Sequence, residues 1–175
     1  MKLSELFAKL EKSSEFKKFH KQHPKAYFCA AFFVFDYENN ETKQQLDYYI
    51  SEEEGIETFL IGEKILRQKA KMIEKEKLNK IDKNEIKVDM DECLDIVKKE
   101  AEKQMFKPSK IIVILQRLKE SDQLIWNITA FSGFNLLRMH LAMDKKILMN
   151  QKNSMLDMMR IEKGGKNKDS ANYVG

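Results

Sequence analysis

The sequence predicts an α+β protein of two tandem units, each a helix packed on a curved antiparallel β-meander. Three observations predict it. Apolar spacing switches from a helical to a period-two pattern at a proline twice, at Pro24 and at Pro108. After each proline come three or four short alternating runs, separated by polar or glycine-bearing turns. The two series also agree in length and ending: Pro24 to Ile65 spans 41 positions, Pro108 to Ile147 spans 39, and they close on "GEKIL" and "DKKIL". An internal duplication accounts for all three.

The first unit covers residues 1–66. Leu3, Leu6, Phe7 and Leu10 follow the i, i+3, i+4, i+7 rule, and Phe16 and Phe19 carry the stripe past Ser13-Ser14, where the helix bends or restarts. His23-Pro24 ends it, because a residue before proline avoids the helical region. A strand over Ala26–Tyr37 follows, its apolar run "AYFCAAFFVF" being about half the roughly 20 residues that a membrane helix needs. "YENNET" turns the chain, Leu46, Tyr48 and Ile50 alternate along the next strand, and "SEEEG" leads into "IETFLI". Gly62-Glu63-Lys64 then introduces Ile65-Leu66.

Residues 67–88 read as a charged linker rich in Lys and Glu, with "EIKV" able to add an edge strand. The second unit covers 89–152. Asp89 or Asp91 caps a helix whose stripe is Cys93, Leu94, Val97, Ala101 and Met105, stopping at Pro108. "KIIVILQRL" is the next strand and "LKESDQ" its turn. Leu124, Trp126, Ile128 and Ala130 share one face of the following strand, which puts Trp126 against the helix. Beyond the Ser132-Gly133 turn, Leu137, Met139, Leu141 and Met143 share a face, and Asp144-Lys145-Lys146 turns into Ile147-Leu148. Residues 153–175 predict a short docked segment, with Met155, Met158 and Met159 at helical spacing up to about Ile161, then a flexible tail.

A helix running through a proline bend into an antiparallel meander with a W-x-I strand resembles the PepSY domain of the cystatin-like group. The likeness is fullest over Asp89 to Leu148, "DMDECLDIVKKEAEKQMFKPSKIIVILQRLKESDQLIWNIT" and then "LRMHLAMDKKIL", where Lys145-Lys146 replaces the usual Thr-Gly of the closing turn. "SSEFKKFHKQHPKAYFCAAFF" matches the same architecture more loosely, so the whole chain is similar to tandem PepSY-like proteins. The resemblance implies a curved antiparallel sheet holding a helix. It also implies a regulatory role, in the family directed at peptidases.

Composition narrows the function classes. Net charge is +4, distributed as +4 over residues 1–25, −8 over 26–63, +5 over 64–87 and +3 over 88–175, so the segments largely answer one another. Lys outnumbers Arg 28 to 4, whereas bidentate recognition of phosphates and base edges favours Arg, which argues against nucleic acid. Early charges at Glu5, Lys9, Glu11 and Lys12 break any secretory core, and with the short apolar run this predicts a cytoplasmic protein without a membrane segment. Cys29 and Cys93 are too few and too separated for a disulfide framework or zinc knuckle and read as buried reduced thiols.

No phosphate-binding, dinucleotide, zinc-protease or nucleophile-elbow motif occurs. His20 and His23 have a metal-compatible spacing but no third ligand nearby, and "DMDE" and "SEEEG" read as a helix cap and a solvated turn. No cofactor, metal or catalytic group is therefore expected. Arg138 and His140 lie on the strand side opposite Leu137, Met139 and Leu141, on the face that the helix leaves open, and form the candidate partner-binding face. The expected function is non-enzymatic binding or regulation of a protein or peptide, in an oligomeric state the sequence does not specify. The alternatives are nucleic-acid association through the Lys64–Lys87 strip and an enzyme whose site assembles only in three dimensions.

Overall fold

The computed structural model describes residues 2–70, 77–156 and 159. Three helices lie on one eight-stranded antiparallel sheet. The helices are α1 (Leu3–Lys12), α2 (Ser14–Gln22) and α3 (Met90–Lys103). The strands are β1 (Tyr27–Asp36), β2 (Glu41–Ile50), β3 (Gly55–Ile61), β4 (Ile65–Ala70), β5 (Lys110–Arg117), β6 (Leu124–Ser132), β7 (Asn135–Ala142) and β8 (Ile147–Ser154). Their spatial order is β4-β3-β2-β1-β5-β6-β7-β8, so β1 and β5 are neighbours at the centre.

The helix break at the serines has a local cause. Ser13 is extended (φ −70°, ψ 150°), ends α1 and caps α2, its hydroxyl accepting the Phe16 N–H at 3.1 Å. Asp89 caps α3 by accepting the Met90 N–H at 2.8 Å, and the same oxygen accepts the Leu3 N–H at 2.8 Å. One carboxylate thus ties the start of α1 to the start of α3.

Alternation decides which residues face the helices. Ala31 and Phe33 on β1, Leu46 and Tyr48 on β2, Val113 and Leu115 on β5, Trp126 and Ile128 on β6, and Met139 and Leu141 on β7 are buried in one core with the helical stripes. A register shift between Phe28 and Ala30 adds a residue to β1 and lets Phe28 and Ala31 both join that core. Trp126 is fully buried as expected, and its indole N–H donates to the Val88 carbonyl at 2.9 Å.

The segment expected as a charged linker has more structure than its composition suggests. Residues 67–70 continue β4, Lys83–Glu85 form one 3-10 turn capped by Asp82, and the "EIKV" that suggested an edge strand begins in that turn and continues over 86–88 without forming a strand. Residues 71–76 lie outside the described residues. From Leu78 to Val88 the chain is a strap: Leu78 O accepts the Tyr27 hydroxyl, Ile81 N–H donates to Phe28 O, and Lys80 O and Glu85 accept from Arg117. Ile81 and Val88 are buried. Two apolar side chains spaced seven residues apart amid charges were too sparse a pattern to signal burial.

Trp126→Ala is expected to destabilise the protein by about 3–5 kcal/mol through lost burial. Trp126→Phe keeps most of the volume but strands the Val88 carbonyl, for roughly 1–3 kcal/mol. Denaturant midpoints at unchanged slope measure both, and an alanine variant within about 0.5 kcal/mol of wild type would contradict the core placement.

At the sheet's centre Asp36 pairs with Lys110 across β1 and β5, Oδ2 to Nζ 2.8 Å. The lysine and the amides of Asn39 hold its pKa down to about 2. A carboxylate depressed in the fold stabilises it above the unfolded value near 3.9, and that contribution disappears as pH falls toward 2. Carboxyl 13C titration should find the Asp36 midpoint near 2 and, in Lys110→Met, closer to the ordinary range. A midpoint unmoved by that substitution would exclude the pair as its cause.

Candidate functional site

The helices cover one side of the sheet, and the site is on the other. Register fixes its surface: Phe32, Val34, Ile112, Ile114, Asn127, Thr129, Phe131, Arg138 and His140 point away from the helices and are half-buried. Ile125, Leu136 and Ala142 are buried yet stand outside the helix-side core, so this face has an apolar floor of its own. No described helix covers it.

Arg138 and His140 both lie here, on β7. One row of cross-strand neighbours runs Gln151, Arg138, Thr129, Ile112, Val34, and the next runs Met149, His140, Asn127, Ile114, Phe32. The first row passes from polar to aliphatic, and in the second His140 and Asn127 lie between Met149 and the apolar Ile114 and Phe32. Among the described residues the Arg138 guanidinium has no ion pair or hydrogen bond, and neither has the His140 imidazole. Cross-strand pairing shows why: no strand from β5 to β8 places an Asp or Glu on this face.

His140 also forms part of the floor of a cleft of about 710 Å³, with Cys29, Ala30 and Gln116. The β5–β6 hairpin and residues 77–79 make its walls, joined by a 2.7 Å hydrogen bond from Asn79 to Asp122. Arg138, one row away, is not in that cleft. Burial first, and Arg138 second, push the imidazole pKa below its ordinary value. On the other half of the same face, Asp47 accepts from Thr58 Oγ1 at 2.7 Å and Gln45 Nε2 at 2.8 Å, and burial raises its pKa.

The remaining candidates separate. His23 is near Glu53 at 3.7 Å while His20 packs on Phe16, and no cluster of three metal-ligating groups occurs among the described residues. Within "DMDE", Asp89 caps and Glu92 pairs with Lys145 at 2.6 Å. In "SEEEG", Glu53 pairs with Lys69 at 2.8 Å, which lowers its pKa. Both cysteines are buried, and desolvation pushes their thiols up, away from thiolate chemistry. In the Lys64–Lys87 strip, Arg67 is bound to Glu57 at 2.5 Å, Lys69 to Glu53 and Lys83 to Glu11. Met155 and Met159 are exposed; Met158, Ile161 and the predicted flexible tail lie outside the described residues.

Sequence reasoning missed buried Glu57, whose second oxygen has no partner, although alternation with Phe59 and Ile61 already placed it on the core face. It also missed the cleft, because the walls come from segments far apart in the chain.

No protein-family profile and no curated protein matches this sequence. The crystal structure of a candidate lipoprotein (CD1622) from Clostridium difficile 630 is similar, with a TM-score of 0.53 and 13% identity over 79% of this chain and 90% of that one. The two share a fold. At that identity the likeness extends no further.

A 1H–15N titration should place His140 half-protonation below the ordinary imidazole value near 6.5. Because the depressed pKa belongs to the folded state, this residue's contribution to stability is present above the unfolded pKa and falls away as pH drops through it. Arg138→Gln should raise the midpoint without restoring it fully, since burial is the larger cause. A full return to the ordinary value would reverse that ranking.

Proposed function

We propose that this chain is a non-enzymatic binding module which docks an acidic, aliphatic segment of a protein or peptide partner on the open face of β5–β8. The observation that carries the reading is Arg138: a half-buried guanidinium without an acidic partner, on the part of the face formed by β5–β8, which carries no carboxylate. Arg presents a planar fork suited to bidentate carboxylate binding, and partial burial strengthens such a pair. Val34 and Ile112, farther along the same row, supply apolar contact.

Spacing shapes the partner. Three strand intervals separate Arg138 from Val34, about 14 Å, which an extended peptide covers in about four residues. The segment should therefore carry Asp or Glu roughly four positions from an aliphatic side chain. Nucleic acid is a poorer fit, because the ion pairs of Arg67, Lys69 and Lys83 already occupy three cations of the basic strip.

The tandem PepSY-like organisation belongs to this proposal. A strand order reading outward from β1 and β5 in mirrored sequence supports it, as does the repeated helix, proline and meander order. Regulation of a peptidase through such a face would fit the resemblance. Placement in the cytoplasm is proposed from the sequence, while the lipoprotein description of the fold neighbour points outside it; cell fractionation decides between them.

Panning a phage library of random peptides about nine residues long, roughly 30 Å extended, tests the docking face on the intact protein. Selected peptides should pair an acidic residue with an aliphatic one, and Arg138→Gln should weaken them about tenfold or more. Basic or charge-indifferent selection, or equal affinity for Arg138→Gln, would remove Arg138 from the function.

A further inference from the structure

The open face carries an unmatched charge on each of its halves, and the two are of opposite sign. Arg138 stands on β7 without an acidic partner, among strands that place no carboxylate on this face. Asp47 stands on β2, where Thr58 and Gln45 hydrogen-bond its carboxylate but no cation among the described residues pairs with it. Burial without a cation raises its pKa, a cost that an arriving guanidinium relieves. The two charges cannot meet within one chain. β1, β5 and β6 lie between their strands, so four intervals of about 4.8 Å separate them across the sheet.

Their placement has a centre. β5 is the middle strand of that span. Along the strands, Arg138 shares a cross-strand row with Thr129 and Ile112, and Asp47 abuts Ala30 two rows away. The row between them passes through Phe32 and Ile114 to His140, which puts Ile114 midway between the charges. Half-buried Phe32, Val34 and Ile112 surround it.

An apolar centre with opposite charges at equal distances on either side is what a two-fold contact needs, because a residue that touches a second one across the axis is touched in return by that residue's copy. An axis lying in the face over Ile114 carries Arg138 of one copy onto Asp47 of the other, twice. It sets the strands of the two sheets at roughly 70°, nearer the orthogonal than the aligned class of sheet packing. The size also fits. Eight strands and the four same-face rows from Asp36 to Ala30 span about 34 Å by 20 Å, or ~700 Å² per copy, against the ~800 Å² of a standard interface.

We infer that the open face pairs two copies of this chain, with Ile114 on the two-fold axis and Arg138 of each copy bound to Asp47 of the other. A second copy is then the acidic, aliphatic partner of the docking face, an assignment that rests on the docking reading. Sedimentation equilibrium of the full chain should give twice the 20.7 kDa chain mass at about 50 μM. Arg138→Glu sets a carboxylate against Asp47 and should weaken the dimer about tenfold or more. Asp47→Asn can keep the Thr58 and Gln45 hydrogen bonds and should weaken it about fivefold. Melting curves establish that both variants are folded. If either unfolds, cross-linking decides: facing sheets lie about 10 Å apart, so a short bis-maleimide should join Ile114→Cys to its own copy, whereas exposed Lys99→Cys on α3 should stay single. The native Cys29 and Cys93 are buried and do not compete. A dimer indifferent to both charge substitutions, or one joined through Lys99→Cys and not through Ile114→Cys, would overturn the inference. So would a chain still monomeric at about 200 μM, and peptides that bind such a monomer through Arg138 would leave the docking reading standing without the dimer.

Discussion

The pairing of β1 with β5 is the constraint on which the rest of the structure depends. Ala31 to Asp36 meet Leu115 to Lys110 in unbroken antiparallel register, and this single junction turns two four-stranded meanders into one eight-stranded sheet. Because side chains alternate, fixing that register fixes which side of all eight strands is apolar enough for helices. A slip of one residue would send Phe33 and Val113 outward and bring Phe32 and Ile114 beneath the helices. The Asp36–Lys110 pair marks one end of the junction with a charge match across the two strands.

Around this junction the two halves are also joined by backbone groups of a segment whose composition resembles a solvated linker. The strap from Leu78 to Val88 gives a carbonyl to Tyr27, an N–H to Phe28 and another carbonyl to the Trp126 indole. Asp89 then catches the first turn of α1. Main-chain polar groups must be satisfied when buried, whatever side chains they carry. That is how a Lys- and Glu-rich stretch becomes structural: its backbone holds the sheet while most of its charges remain exposed.

Local signals in the sequence were enough for much of the fold. Ser13, Pro24 and the Asp89 cap mark helix boundaries through steric and hydrogen-bonding rules that act over three or four residues, and Leu46, Tyr48, Ile50 and Trp126 show their burial by alternation. Strand pairing between β1 and β5 acts over some eighty residues, and period-two alternation says nothing about which edge meets which. The candidate site divides in the same way. Arg138 and His140 could be assigned to the open face from their own strand, yet the lack of a carboxylate near Arg138 depends on the neighbours that β6 and β8 place beside it. Tyr48 was legible as core, but the unmatched second oxygen of Glu57 is a property of everything around it.

The two faces of the sheet handle polar groups in opposite ways, and this follows from how each is covered. On the helix side, packed side chains exclude solvent, so a polar group such as Glu57 is held by a salt bridge to Arg67, and an unmatched oxygen is exceptional among the described residues. On the open side, partial burial keeps Phe32, Val34, Ile112 and Ile114 in contact with water and leaves Arg138 partly solvated. Such a surface satisfies itself in the free protein, while water can be displaced at modest desolvation cost when a complementary carboxylate and aliphatic group arrive. The helix side holds the larger core, while the open side adds the buried Ile125, Leu136 and Ala142 and the Asp36–Lys110 pair to the register that β1 and β5 impose.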